Sequence, residues 1–193
     1  EGGIATTNSQ ELKSKMSLLR SHGVIKAQEM LINQHQGDWY YEQQSLGFNY
    51  RMTEMQAALG LSQLTRLTSF VKTRHKLAQK YQQAIAHLPL KWQKQSEGIY
   101  SSYHLFIVRL TECASLSREQ LFKELKQANI GVNVHYIPIH TQPYYQKLGF
   151  QKGDFPQAEL YYRDCLSLPL YADLSDKDFN YIIYTLTKLL TNP

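Results

Sequence analysis

The feature that most constrains the fold is an apolar stripe running at broadly helical spacing through Met55, Leu59, Leu64, Leu67, Val71, Ala78, Tyr81 and Ile85. One apolar face of that length predicts a long helix joining two parts of a fold, since such a face has to be buried against something. Pro89 ends the run, because proline lacks the N–H that would continue it. The start is specified too: in T-x-x-Q, Thr53 caps the amino end while Gln56 reaches back, and Glu54 suits the positive end of the helix dipole. Ala57, Ala58 and Gly60 are small enough to let another backbone approach.

Upstream, "GGIATT" reads as a short strand leading into a helix with Leu12, Met16 and Leu19 on one face and Gly23 as its stop. Residues 24 to 46 show no clean period and are expected to form an irregular connection in which Trp39, Tyr40 and Tyr41 pack. Downstream the texture is compact α+β. "YHLFIVRL", residues 103 to 110, predicts a strand apolar on both faces and covered on both sides. Ser117 and Gln120 form a second capping box ahead of Leu121, Phe122, Leu125 and Ala128; Asn129 to Gly131 break that helix, and "VNVHYIPI" then extends. Ser175 and Asp178 open a last helix whose Phe179, Ile182, Ile183, Leu186 and Leu190 should pack on the small sheet. Residues from about 90 onward are the best candidate for an independently folding piece.

A formal charge of +5 raises the question of nucleic acid, but the basic residues in "FVKTRHKLAQK" and "KWQKQ" lie on or after a helix and lack an aromatic stacking array. They read as a solvated helix face, so no nucleic-acid partner is expected; a small anionic substrate fits the charge. No apolar run approaches the roughly 20 residues of a membrane span. The first residues show neither a basic leader nor an apolar signal core, and Cys113 and Cys165 stand apart from any CxxC pair. Reduced thiols in the cytoplasm are the expectation.

Motifs for self-contained catalysis are missing: there is no P-loop, GxSxG elbow, HExxH or dinucleotide fingerprint. His135 and His140 bracket "HYIPIH" without a suitably spaced third ligand, so no metal is expected and surface or substrate-contacting histidines are the reading. Glu42 and Glu54 could act as acid or base, although a loop carboxylate and a capping carboxylate are the plainer roles. Asn49 and Arg51 combine an amide and a forked guanidinium beside a helix start, which suits an anion-binding corner. Equally, Asn49 could close a turn after Gly47 while Arg51 pairs with a nearby acid, and spacing leaves both open.

"GFNYRMTEMQAALGLSQL", residues 47 to 64, resembles the signature of the DegT/DnrJ/EryC1/StrS sugar aminotransferases. "EGGIATTNSQELKSKMSLLRSHG", "VNVHYIPIHTQPYY" and "FPQAELYYRDCLSLPLYADLSDKDFNYII" resemble further stretches of that family in the same order. The resemblance implies an α/β fold, the carboxyl-terminal part of a fold-type I transferase dependent on pyridoxal 5'-phosphate. Residues 1–88 are then the end of the large domain with a long connecting helix, and residues 89–193 a small α+β domain. It also implies ping-pong amino transfer in a homodimer with shared active sites, with glutamate as the usual donor and a nucleotide-linked keto-sugar as acceptor. Within the family, the first signature and "VHYIPIHTQPYYQ" are most like enzymes that aminate C4 of a UDP-linked 4-keto-6-deoxy-N-acetylaminosugar on the way to pseudaminic acid.

For individual residues, the resemblance gives Asn49 to the cofactor phosphate of the neighbouring subunit and Gly2 and Gly3 to the turn beside the cofactor. It gives Arg51, His135, Tyr136 and His140 to the substrate side. The Schiff-base lysine is expected upstream of Glu1; Lys13 and Lys15 do not sit in its motif and read as solvent-facing helix residues. The isolated chain is therefore expected to be inactive. Two alternatives accompany this reading: a sugar dehydratase of the same fold with histidine in place of the lysine, and a noncatalytic truncated or binding module that lacks cofactor affinity.

Overall fold

The computed structural model describes residues 3–33 and 36–191. They form two compact units that divide between Thr65 and Arg66.

In the first unit, α1 (Gln10–Leu19) is capped by Ser9, whose hydroxyl accepts the Leu12 N–H at 3.3 Å. It stops where His22 and Gly23 adopt φ of 63° and 69°, so the glycine expected as a stop is one. Lys13 and Lys15 are exposed, and Lys15 pairs with Glu11 at 2.7 Å. Residues 3 to 9 form no strand, contrary to expectation: Ile4 is solvent-exposed and no ladder partner lies beside it among the described residues. The supposedly irregular connection contains a short antiparallel pair, β1 (Val24–Ile25) with β2 (Glu42–Gln43), joined in register Val24 to Gln43. Trp39 and Tyr41 are exposed rather than packed, because the segment has no core beneath it. Helix α2 (Glu54–Leu64) carries the expected capping box in full. Among the described residues of this unit, only Gly23 and Glu42 are buried. Met55, Leu59, Leu61 and Leu64 of α2 are therefore left exposed.

The second unit begins with α3 (Leu67–Ala84). The single long helix predicted from Thr53 toward Pro89 is thus two helices. Thr65 turns its hydroxyl back onto the Ser62 carbonyl at 2.8 Å, a side-chain bond that competes with helix propagation. The unit boundary falls well before residue 88 because Leu77, Ala78, Tyr81 and Ile85 are buried in the second unit's core. Beyond α3 come β3 (Leu90–Trp92), β4 (Phe106–Leu110), α4 (Arg118–Gln127), α5 (Pro143–Gln146), α6 (Pro156–Asp164), β5 (Cys165–Leu168) and α7 (Asp176–Thr191). The three strands form one antiparallel sheet in the order β3-β4-β5.

Register assigns the faces of this sheet. Phe106 opposes Leu168 and Val108 opposes Leu166, all four buried with Leu121 and Leu125 of α4 and Phe179, Ile182 and Leu186 of α7. Burying each such side chain contributes about 1.5–3 kcal/mol, so this face carries most of the unit's stability. The other face pairs Ile107 with Ser167 and Arg109 with Cys165. It is mixed, with Ser167 and Cys165 buried, Ile107 and Arg109 partly exposed, and Arg109 set 5.6 Å from the Tyr161 ring of α6, so the strand is shorter than predicted and its second face less apolar. Instead of a strand, "VNVHYIPI" provides one bridge, from Asn133 to Ser167. Besides β3, the strand that pairs with β4 is β5, buried at all four positions.

Candidate functional site

The first group of candidate residues lies on the loop leading into α2. Backbone bonds fasten this loop to the end of α1: His22 N–H to the Phe48 carbonyl at 3.0 Å, Phe48 N–H to Leu19 at 2.6 Å and Tyr50 N–H to Arg20 at 3.0 Å. Two glycines allow so close a crossing. A Cβ on Gly47 would run into the backbone of Gly23 and His22, and one on Gly23 into the Ser45 carbonyl. Phe48 and Tyr50 stack at 4.9 Å, so they share a side, and alternation gives Asn49 and Arg51 the opposite one.

Both side chains are exposed, and neither has a hydrogen-bond or ion-pair partner among the described residues. Among the described residues, the pairing of Arg51 with a nearby acid is therefore not formed, and Asn49 holds its place through backbone. Thr53 satisfies the Gln56 N–H, leaving the first N–H groups of α2 without intrahelical partners. An amide, a guanidinium and a helix start form a donor set suited to phosphate. A Cβ at Gly3 would meet nothing within 4 Å, so nothing in this chain itself demands glycine there. Gly2 lies outside the described residues.

Glu42 is an anchor rather than an acid or base. Its carboxylate accepts the Ile32 and Asn33 N–H groups at 2.7 Å each, the Tyr40 hydroxyl at 3.1 Å and the Gln44 amide at 2.9 Å. The Ile32 N–H, aided by the Gln44 and Asn33 bonds, outweighs desolvation and holds the carboxyl at about 2. Glu54 is exposed in the first turn of α2, as a dipole partner would be.

The second group, in the other unit, lies between α4 and α5. His135 places Nδ1 2.7 Å from the Ser167 hydroxyl, with Nε2 3.5 Å from the Asn133 amide nitrogen. Tyr136 stands edge-on to that ring at 4.6 Å and is largely exposed. His140 is buried, its Nε2 2.8 Å from a Glu159 oxygen that also accepts the Gly153 N–H at 2.6 Å. The His140 bond first, then the Gly153 bond, holds the Glu159 carboxyl below the usual range. His135 and His140 therefore answer to different partners, and His140 clamps its turn to α6. Among the described residues, no three His, Cys, Asp or Glu side chains gather as metal ligands. Cys165 is buried and unpaired, and burial pushes its thiol up. Ser167, Asn133 and Glu159 escaped sequence reasoning because they are ordinary residue types whose importance lies in contacts across 32 and 19 positions for Ser167 and Glu159.

Residues 1–187 match the DegT/DnrJ/EryC1/StrS aminotransferase family. The chain belongs to that family. It is 40% identical over 188 residues to the spore coat polysaccharide biosynthesis protein SpsC of Bacillus subtilis, covering 95% of this chain and 48% of SpsC. It is 31% identical over 191 residues to a UDP-4-amino-4,6-dideoxy-N-acetyl-beta-L-altrosamine transaminase of Campylobacter jejuni, covering 98% of this chain and 48% of that enzyme. Among solved structures, the PMP form of the putative sugar aminotransferase Spr1654 of Streptococcus pneumoniae matches with a TM-score of 0.85 at 29% identity, over 97% of this chain and 47% of that one. The chain thus has part of the α/β fold of the sugar aminotransferases and spans about half the length of the curated relatives it matches. Among the described residues, no helix is long and apolar enough to cross a membrane.

Proposed function

We propose that this chain is the carboxyl-terminal part of a pyridoxal-phosphate-dependent sugar-nucleotide aminotransferase. In the complete protein, the amino group of a donor, glutamate by preference, replaces the C4 ketone oxygen of a UDP-linked 4-keto-6-deoxy-N-acetylaminosugar. The donor leaves as its 2-oxo acid, so the exchange is redox-neutral overall. The observation that carries this reading is the pair of donors, Asn49 and Arg51, without partners among the described residues, on a backbone-fastened loop at a helix start within a chain of this family.

Pyridoxal phosphate, when bound, supplies the electron sink through which an amino group is carried between donor and acceptor. The Asn49 amide donates to the cofactor phosphate, and the amino end of α2 adds a favourable dipole. Arg51 faces the diphosphate of the sugar nucleotide, where its fork can donate twice. Gly2 and Gly3 leave room beside the cofactor. His135 and Tyr136 meet the substrate, while His140 keeps their segment in place through Glu159. The uncovered apolar side chains of α2 are where the rest of the large domain and a second subunit pack, with Asn49 completing the partner's site. The proposed setting is the cytoplasm. The isolated chain, without a Schiff-base lysine, transfers nothing.

The test uses the complete protein with glutamate and the UDP-linked keto-sugar, following 2-oxoglutarate and the amino sugar. Asn49→Ala loses a phosphate hydrogen bond worth about 1–3 kcal/mol, so the cofactor Kd rises about 5- to 150-fold. An unchanged Kd sinks the Asn49 assignment. Loss of the sugar hydroxyl without amine formation, with histidine at the lysine position, replaces the transferase with a dehydratase.

A further inference from the structure

We propose that a hollow in the second unit, between α3 and the connection from β3 to β4, binds a neutral pyranose ring. It shares no residue with the cofactor and substrate groups assigned above, and it goes beyond the function proposed for them without resting on it.

The hollow offers about 470 Å³, within the roughly 300–1,000 Å³ of small-molecule sites. Trp92 and Tyr103 line it, and both are partly buried against the unit's core, which holds their rings in place. Three amides also line it, Gln79 and Gln82 of α3 and Gln95 of the connection, and none of their side chains has a hydrogen-bond partner among the described residues. The connection is fastened to α3. His75 Nε2 donates to the Ser101 carbonyl at 2.6 Å, and the His75 ring stacks on Tyr100 at 4.3 Å and meets Tyr103 edge-on at 4.8 Å. Tyr103 has a φ of 45°, which a bulky side chain rarely adopts, and unlike His22 and Asn129 it does not follow the end of a helix. Backbone held in that region by its surroundings gathers at ligand sites.

The lining selects the ligand class. A pyranose has an apolar C–H face and a rim of hydroxyls that both donate and accept. Aromatic rings cover the first, and a carboxamide, with acceptor and donor side by side, matches neighbouring hydroxyls. Lys94 is the one lysine or arginine in the lining and is exposed, too little positive charge to select a phosphate. A lipid chain would need apolar walls in place of the three amides.

The experiment follows the Trp92 indole N–H by NMR in the full chain carrying Trp39→Phe, which leaves Trp92 as its single tryptophan. The probes are methyl glucoside, methyl galactoside and N-acetylglucosamine, with sorbitol as a polyol lacking the ring and UDP as a phosphate ligand. At least one pyranose should shift the Trp92 signal saturably, and sorbitol and UDP should not. Gln79→Ala combined with Gln82→Ala removes two amides while favouring helix at both positions, so α3 is kept and the Kd should rise at least about tenfold. No saturable shift with any of the three pyranoses overturns the proposal. So does an equal shift with sorbitol, a site that answers to UDP and not to the sugars, or a doubly substituted chain that responds undiminished.

Discussion

Tyr81→Phe tests how the second unit holds the strand that carries Ser167. The Tyr81 side chain is fully buried, stacked at 4.9 Å on Phe106 and at 4.7 Å from Phe179, and its hydroxyl donates to the Pro169 carbonyl at 2.9 Å. Burial pushes the phenol up, so it remains a donor at any working pH. Phenylalanine keeps the ring contacts and removes only the O–H. The loss is then that of one buried acceptor, about 1–3 kcal/mol, and about 1.5 kcal/mol is expected because Pro169 is half-buried and water recovers part of it. At a urea slope of about 1.5 kcal/mol/M, the midpoint falls by about 1 M with the slope unchanged. Trp92 fluorescence reports this unit; the chain's other tryptophan, Trp39, is replaced by phenylalanine throughout. Tyr81→Ala, which also empties the ring site, costs about 3–5 kcal/mol in its packing alone. A midpoint shift below about 0.3 M for Tyr81→Phe would refute the hydrogen-bond reasoning. It would mean that the buried stack alone holds the segment after β5.

Other consequences are open to direct measurement. Gly47→Ala drives a Cβ into the backbone of Gly23 and His22 and should cost about 1–3 kcal/mol of local stability. Hydrogen exchange at the Phe48 and Tyr50 amides should speed up accordingly, and unchanged protection would contradict the crossing. Glu42 has its folded-state pKa lowered from 4.5 to about 2, so its contribution is fully present above about 4.5 and is lost as pH falls through 2. Glu42→Gln should remove that acid dependence from amide exchange at Ile32 and Asn33. Limited proteolysis of the chain should cleave residues 1–65 before residues 66–193, because the first unit has almost no buried side chains. Equal digestion of both would contradict the division.

The helix starts at Thr53 and Ser117 were legible because a capping box is a pair of bonds between residues three apart, and both are present in full. The last helix was legible for a related reason: Phe179, Ile182, Leu186 and Leu190 recur at the period of the structure they bury. Asn49 and Arg51 could be singled out by residue type and position, but only the structure shows that neither is spent on a partner among the described residues. The break at Thr65 has no glycine or proline to announce it, and the apolar stripe runs on through it although its two halves serve different units. Strand β5 gave no alternation because all four residues are buried, and it follows α6 without a turn residue. The Gly23 and Gly47 crossing, the Glu42 anchor, the His140–Glu159 clamp and the His135–Ser167 bond were decided by tertiary structure alone. Local sequence governs bonds that close within one helical turn, whereas which polar atoms meet across a sheet or between loops depends on where the whole chain has placed them.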